Sequence, residues 1–353
     1  MNDLSCFDVL EQTDAHRRLR LRGGPQDGVE VLELTSGGTT AVVCPTRGMG
    51  LLSMAAGEDR AEWHSPVRGP VHPSLVNLDG RGGLGWLDGF TELLVRCGLS
   101  SFGPPGDDAE AGPIEGPVTL HGRIANRPAR GVRVQADATG VSCFGVVDEA
   151  TLFGSRLELE VETRVAHTGE VIVRDRVTNR GGQPAEMQLL YHINVSRPFL
   201  EEGSSFRVSA TEACPRDARA AEDAATWDRC GPPTAGYAEQ AYFFKAADGA
   251  DGRAVASLTN AAGDRTFSVV FAAAVLPCLT VWKCTQAEAD GYVLGLEPGT
   301  GWPNGKAHER ARGRVRSLPP GGDFHSELTL RISRDAAPDV WPRPVMLPDP
   351  AGW

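Results

Sequence analysis

Lysine is almost missing from this chain. Three lysines, at 245, 283 and 306, stand among 35 basic residues, and arginine supplies the rest. That imbalance is a GC-rich coding bias and says little about function. Acidic residues number 46, so the net charge is −11, which argues against a nucleic-acid partner. No uninterrupted apolar run approaches the ~18 residues of a membrane span. The start, Met1-Asn2-Asp3-Leu4-Ser5, lacks the basic and apolar regions of a signal peptide. The eight cysteines (6, 44, 97, 143, 214, 230, 278, 284) are scattered without a CxxC pair. They read as reduced, mostly buried thiols of a cytoplasmic protein, with neither a disulfide framework nor a structural zinc. Helical periodicity is nearly absent. So are a nucleophile elbow, a Walker loop and an HExxH motif.

A period of two fills most of the length instead. Val29 to Thr35 and Thr39 to Val43 are rich in β-branched residues, with a Ser36-Gly37-Gly38 turn between them. Leu157 to Val165 alternates apolar and polar residues, and Val171 to Val177 repeats the pattern after a His167-Thr168-Gly169-Glu170 turn. Such runs are antiparallel strands with one face in solvent. Further strands are expected near 118–125, 131–137, 141–147, 186–195, 205–210, 253–259, 266–273, 278–284, 291–297 and 324–332. Strands at this spacing, separated by Gly, Pro and Asp turns, predict a large antiparallel β-sandwich. Two long irregular loops interrupt it, Gly98 to Gly116 and Ala213 to Ala238. No linker splits the chain, so residues 1–353 are expected to form one domain. A Pro-rich irregular tail begins at about residue 336.

Three short runs carry chemistry: Leu120-His121-Gly122-Arg123, Tyr191-His192-Ile193-Asn194 and Gly295-Leu296-Glu297-Pro298. Each sets an ionisable residue in an apolar, strand-like context. Two imidazoles and a carboxylate make an acid/base set for moving protons on a neutral substrate. On strands, residues two apart share a face. His121 then points with Arg123, and His192 with Asn194. Val293, Gly295 and Glu297 share a third face, where Gly295 leaves room beside the carboxylate. The bland reading is that a strand histidine is an ordinary hydrogen-bonded structural residue, and that Glu297 is a strand-end charge. The apolar run before Glu297 speaks against the second, since a carboxylate on a central strand needs a partner or a role. His121, His192 and Glu297 are also ligand types that suit zinc, but no metal-site spacing accompanies them. No metal and no cofactor are expected.

The order His, His, Glu-Pro on an almost all-β chain resembles the aldose 1-epimerase (galactose mutarotase) family, most closely its epimerase-like branch. The resemblance spans about residues 30 to 333. It implies the large supersandwich form of the β-sandwich, with the site on one concave sheet face. It implies that His121 helps hold a sugar near its ring oxygen, that His192 is the general acid on that oxygen, and that Glu297 is the general base on the anomeric hydroxyl. The run after His192 departs from the family's usual Pro-Tyr-Phe, and the family's substrate-binding aspartate has no counterpart. Arg47 and Arg81 are both candidates for its arginine.

The function expected from this set is interconversion of the α and β anomers of an aldose or related sugar, neutral or acidic. Arg123, Asn194, Arg81, Arg47, Lys283 and Trp302 are the candidate substrate contacts. Trp86 and Phe90 read as core rather than as sugar-stacking rings, and His72 is left open. Two other classes compete. One is a carbohydrate-binding protein that has lost catalysis. The other is an isomerase or lyase acting on an oxidised or anionic sugar, favoured by the arginines at 47, 81 and 123. The geometric expectation is that His121, His192 and Glu297 open onto one pocket, spaced for a sugar ring to lie between them.

Overall fold

The computed structural model describes residues 6–110, 112–249, 251–335, 343–348 and 353. Two stacked sheets, antiparallel but for one edge pair, dominate them, one of 14 strands and one of 8. The smaller sheet follows the alternation visible in the sequence. Leu157, Leu159, Val161 and Val165 point inward and are buried. The intervening glutamates face solvent and pair across strands, Glu160 with Arg176 and Glu162 with Arg174. A shared core from Leu32 to Leu330 fills the space between the sheets.

The centre of the larger sheet is different, because both of its faces are covered. In the strand Ala185–Val195 every residue but Glu186 is buried, and in Val293–Gly299 all are. The strand order through this region is Leu94–Leu99, Ala185–Val195, Val293–Gly299, Cys278–Cys284, Gln240–Ala246. One face joins the core. The other carries a separate apolar cluster that includes Trp63, Trp86, Phe90 and Val293.

Several sequence expectations need correction. Residues 118–125 are not a strand. They form a turn followed by the 3-10 helix Ile124–Asn126. The loop expected from Ala213 begins inside the strand Ala210–Pro215 and contains the helix Ala218–Glu222. Strands Phe7–Gln12, His16–Leu21, Gly50–Ala56, Leu94–Leu99 and Gln240–Ala246 were not anticipated. Of the tail, 336–342 and 349–352 lie outside the described residues. Val345–Met346 pairs in parallel with Ala210–Pro215, and Trp353 packs on Trp302. None of the eight cysteines forms a disulfide, and seven are buried. Among the described residues no helix is long and apolar enough to cross a membrane.

A buried ion pair ties the two sheets together. Arg96 Nε and Nη2 donate to Asp175 across the interior at 2.5 and 2.8 Å, and the Tyr191 hydroxyl donates to the same carboxylate at 2.7 Å. Removing one member leaves the other charge buried and unpaired, which costs about 3–5 kcal/mol. Asp175→Asn should lower stability by about that amount, as read from denaturant unfolding. A change under 1 kcal/mol would mean that the pair is not what joins the sheets.

Candidate active site

The strand Ala185–Val195 places His192 on the covered outer face, opposite Val95. Glu297 sits on the next strand and Thr280 on the one beyond, paired with Glu297 in register. His192 Nε2 lies 3.3 Å from Glu297 Oε1, and both side chains are nearly enclosed. Phe90 and Trp282 flank the His192 ring, with centroids at 4.9 and 5.3 Å. Gly295 makes this contact possible. A Cβ there would fall 2.8 Å from Glu297 Oε1, 3.1 Å from Trp282 Cβ and 3.3 Å from His192 Cε1.

His121 arrives from a turn rather than from a strand. It has φ 56° and Gly122 has φ 72°. The turn is held by His121 N donating to the Gly103 carbonyl and Gly98 N donating to the His121 carbonyl, both at 3.0 Å. At Gly122 a Cβ would lie 2.2 Å from the Ser101 carbonyl oxygen, so only glycine fits. The His121 ring rests on Trp86 at 4.6 Å and stands 5.4 Å from that of His192. All three predicted residues therefore line one cleft of about 820 Å³. The expected spacing does not hold, however. His192 and Glu297 touch, so a sugar ring would lie over the pair rather than between its members.

Burial governs the charges here, because desolvation penalises ionised forms. It holds the His121 imidazole down at about 4. Burial, with His121 alongside, keeps His192 well below the ordinary imidazole range, against a smaller upward pull from Asn194. Burial, with Glu239 nearby, lifts Glu297 well above the ordinary carboxylate range. His192 Nε2 and Glu297 Oε1 thus face one another at 3.3 Å, with burial favouring the neutral imidazole and the protonated carboxyl.

Most of the expected substrate contacts lie elsewhere. Arg47 is fully buried. It pairs with Glu92 at 2.5 Å and donates to the carbonyls of Val71 and Gly89 and to Asn126 Oδ1. Asn194 is likewise internal, its Nδ2 donating to the Glu92 carbonyl at 3.0 Å. Together they fasten the segments that deliver Phe90 and His121. Arg123 turns away to the Glu115 carbonyl, beside a separate small cavity. Arg81 is exposed and pairs with Asp88. Lys283 faces the other side of the sheet, where Nζ donates to the Trp227 carbonyl at 3.2 Å. Trp302 is packed against Phe243 and Trp353, and its neighbours Pro303, Asn304 and Gly305 line the cleft in its place. His72 caps the 3-10 helix Pro73–Leu75 and does not reach the cleft. Trp86 and Phe90 are buried as expected of core, yet both line the cleft.

The structure adds Trp63, Arg216, Glu239, Thr280, Trp282 and Asp290 to the lining. Strand alternation sets Trp282 on the face opposite Lys283, so Trp282 lines the cleft once Lys283 turns to the other side. Arg216 lies in the long loop that looked irregular, and Glu239 just beyond it, and nothing in the sequence singled them out.

The family described as "Domain of unknown function (DUF4432)" matches residues 26–332. A solved structure from Klebsiella pneumoniae, described as a putative aldose 1-epimerase, is 31% identical with a TM-score of 0.88. The match covers 97% of this chain and 92% of that one. A galactose mutarotase-like protein from Clostridium acetobutylicum shares the fold at 14% identity and a TM-score of 0.64, over 90% of this chain and 98% of that one. An Escherichia coli protein, again described as a putative aldose 1-epimerase, does so at 12% identity and 0.56, over 87% and 100%. No curated protein matches the chain by sequence. The architecture is thus the galactose mutarotase-like β-sandwich. The chain belongs to the DUF4432 family, within the aldose 1-epimerase-like group.

Gly295→Ala tests the packing of the dyad. The added methyl should cost about 1–3 kcal/mol and push the carboxylate away from His192. Thermal melting and a structure of the variant would read both. An unmoved Glu297 would show that the close approach does not depend on the glycine.

Proposed function

We propose that this protein is a sugar mutarotase, interconverting the α and β anomers of a free aldose by acid/base ring opening. The observation that carries this reading is the 3.3 Å His192–Glu297 contact on the floor of a cleft, with His121 across from it. Ring opening takes a proton from the anomeric hydroxyl and gives one to the ring oxygen. A pair holding a single shared proton can do both. Glu297 accepts from the anomeric hydroxyl while His192 protonates the ring oxygen. The free aldehyde rotates about C1–C2 and recloses with the roles reversed. The ionised arrangement this uses differs from the resting one only in where the proton sits along the contact. His121, neutral at working pH, is placed to hydrogen-bond near the ring oxygen. No cofactor is needed. On this reading residues 1–353 act as one domain, since the two sheets share one core.

An anionic substrate loses its support. The arginines at 47, 81 and 123 lie outside the cleft, and the one guanidinium lining it among the described residues, Arg216, is held by Asp217 and Glu239. The competing reading as a binding protein without catalysis is settled by the same assays as the mechanism.

The pH profile follows from the proton count. A second proton must go onto a buried imidazole beside His121, so the acid limb of kcat/KM falls below the ordinary imidazole value of about 6.5. The only proton must leave a desolvated carboxyl, so the alkaline limb lies above the ordinary value of about 4.3. The result is a bell whose limbs belong to the pair rather than to either residue. Glu297→Gln should cut kcat by at least about a hundredfold while sugar binding persists, and His192→Asn should do the same. Polarimetry on freshly dissolved aldoses reads the rate. Near-normal turnover by Glu297→Gln would sink the mechanism. Sugar binding with no rate above buffer would make this a binding protein.

A further inference from the structure

The cleft is wider than the reaction requires. Its floor runs from His192 through Glu297 and Thr280 to Ala241, on four neighbouring strands. Three strand spacings make about 14 Å, and a pyranose ring covers about one of them. The volume of about 820 Å³ lies toward the upper end of the ~300–1,000 Å³ that holds drug-sized ligands. A single hexose has about half the heavy atoms of such a ligand.

The part away from the dyad is built as a site. Trp282 leaves part of its ring uncovered, beside His192. Its indole N–H donates to Glu239 Oε2 at 2.7 Å. Arg216 holds the other oxygen of that carboxylate at 3.1 Å and is itself held by Asp217, which caps the helix Ala218–Glu222. The ring is thereby fixed in orientation, as a platform for the apolar face of a sugar must be. Thr280 is 2% exposed and lines the cleft, and its buried hydroxyl has no partner among the described residues. A buried polar group of that kind calls for a partner, and a ligand lying past Glu297 would supply one. Asp290 adds an exposed carboxylate at the mouth. Arg216 is already neutralised by two carboxylates, so the region is not an anion clamp.

We infer that the cleft has a second subsite, on Trp282, Thr280 and Glu239, and that the substrate is a neutral reducing disaccharide. Its reducing unit sits over the dyad and its second unit lies along Trp282. This inference rests on the mutarotase reading for the dyad, but the subsite can be tested apart from it.

The test compares a reducing disaccharide such as cellobiose or maltose with glucose, their shared reducing unit. Mutarotation is followed by polarimetry, and binding by quenching of the cleft tryptophans or by calorimetry. The wild type should favour one of the disaccharides by at least tenfold in kcat/KM. Thr280→Val should bring that ratio toward one, with the change carried mainly by KM for the disaccharide. Equal kcat/KM for glucose and both disaccharides, in an active enzyme, would overturn the subsite and leave the mutarotase reading standing. If none of the three sugars is turned over, the mutarotase reading fails and binding decides the subsite. A disaccharide Kd at least tenfold below that of glucose, lost in Thr280→Val, supports it. Equal affinities, or no binding of any of the three sugars, overturn it.

Discussion

Arg96 reaches out of the larger sheet and closes on Asp175 of the smaller one, deep in an otherwise apolar interior. The same guanidinium donates to the carbonyls of Gly48 and Met49, and Tyr191 donates to Asp175 and meets Ser326. Buried charges are tolerable only when paired and fully hydrogen-bonded, so this network admits one relative placement of the sheets. Tyr191 and His192 are consecutive on one strand and therefore point to opposite faces. Fixing Tyr191 to the core side fixes His192 on the cleft side. The cross-sheet ion pair and the dyad are two faces of one constraint on one strand.

A second clamp acts on the loops. Arg47 and Glu92, both fully enclosed, gather Val71, Gly89 and Asn126 around one guanidinium. Gly89 precedes Phe90, which lies against His192, and Asn126 ends the short helix that follows the His121 turn. At Gly89 a Cβ would approach the Arg47 nitrogens to 2.9 and 3.0 Å, so the backbone comes as close as it can. Loops that carry function need such support when no sheet ladder holds them. His121 shows how far the chain goes to deliver an imidazole. A histidine in a left-handed conformation is uncommon, and here it is held by backbone hydrogen bonds on both sides.

The parts of this arrangement that were legible in the sequence are those governed by period two. Glu297 and His192 stood out because a titratable residue inside a long apolar run on a central strand is costly without a purpose. Gly295 was legible as space beside the carboxylate. The smaller sheet was legible almost strand for strand, since its solvent face keeps the alternation. His121 was assigned to the right neighbourhood with the wrong backbone, because His-Gly in an apolar context does not distinguish a strand from a tight turn. The arginines were misjudged for a different reason. A guanidinium suits a buried carboxylate as well as it suits a ligand, and burial is not written in a short motif. Arg47 is the clearest instance. Lys283 failed on parity alone, since one of two adjacent strand residues had to face the core and Trp282 took the cleft.

The remaining question is why a carboxyl and an imidazole in contact should be kept so dry. In water the pair would ionise separately, and between the two ordinary values of about 4.3 and 6.5 it would hold one proton only within a narrow range. Burial lowers the imidazole and raises the carboxyl, so the single proton moves from His192 toward Glu297 and the uncharged pair is favoured. The same walls that exclude water, Trp86, Phe90 and Trp282, are the ones that touch the two imidazole rings. Desolvation therefore opposes the ionised form of the pair but not the presence of its single proton. It keeps one mobile proton available, which is what a reaction that gives one proton and takes one requires.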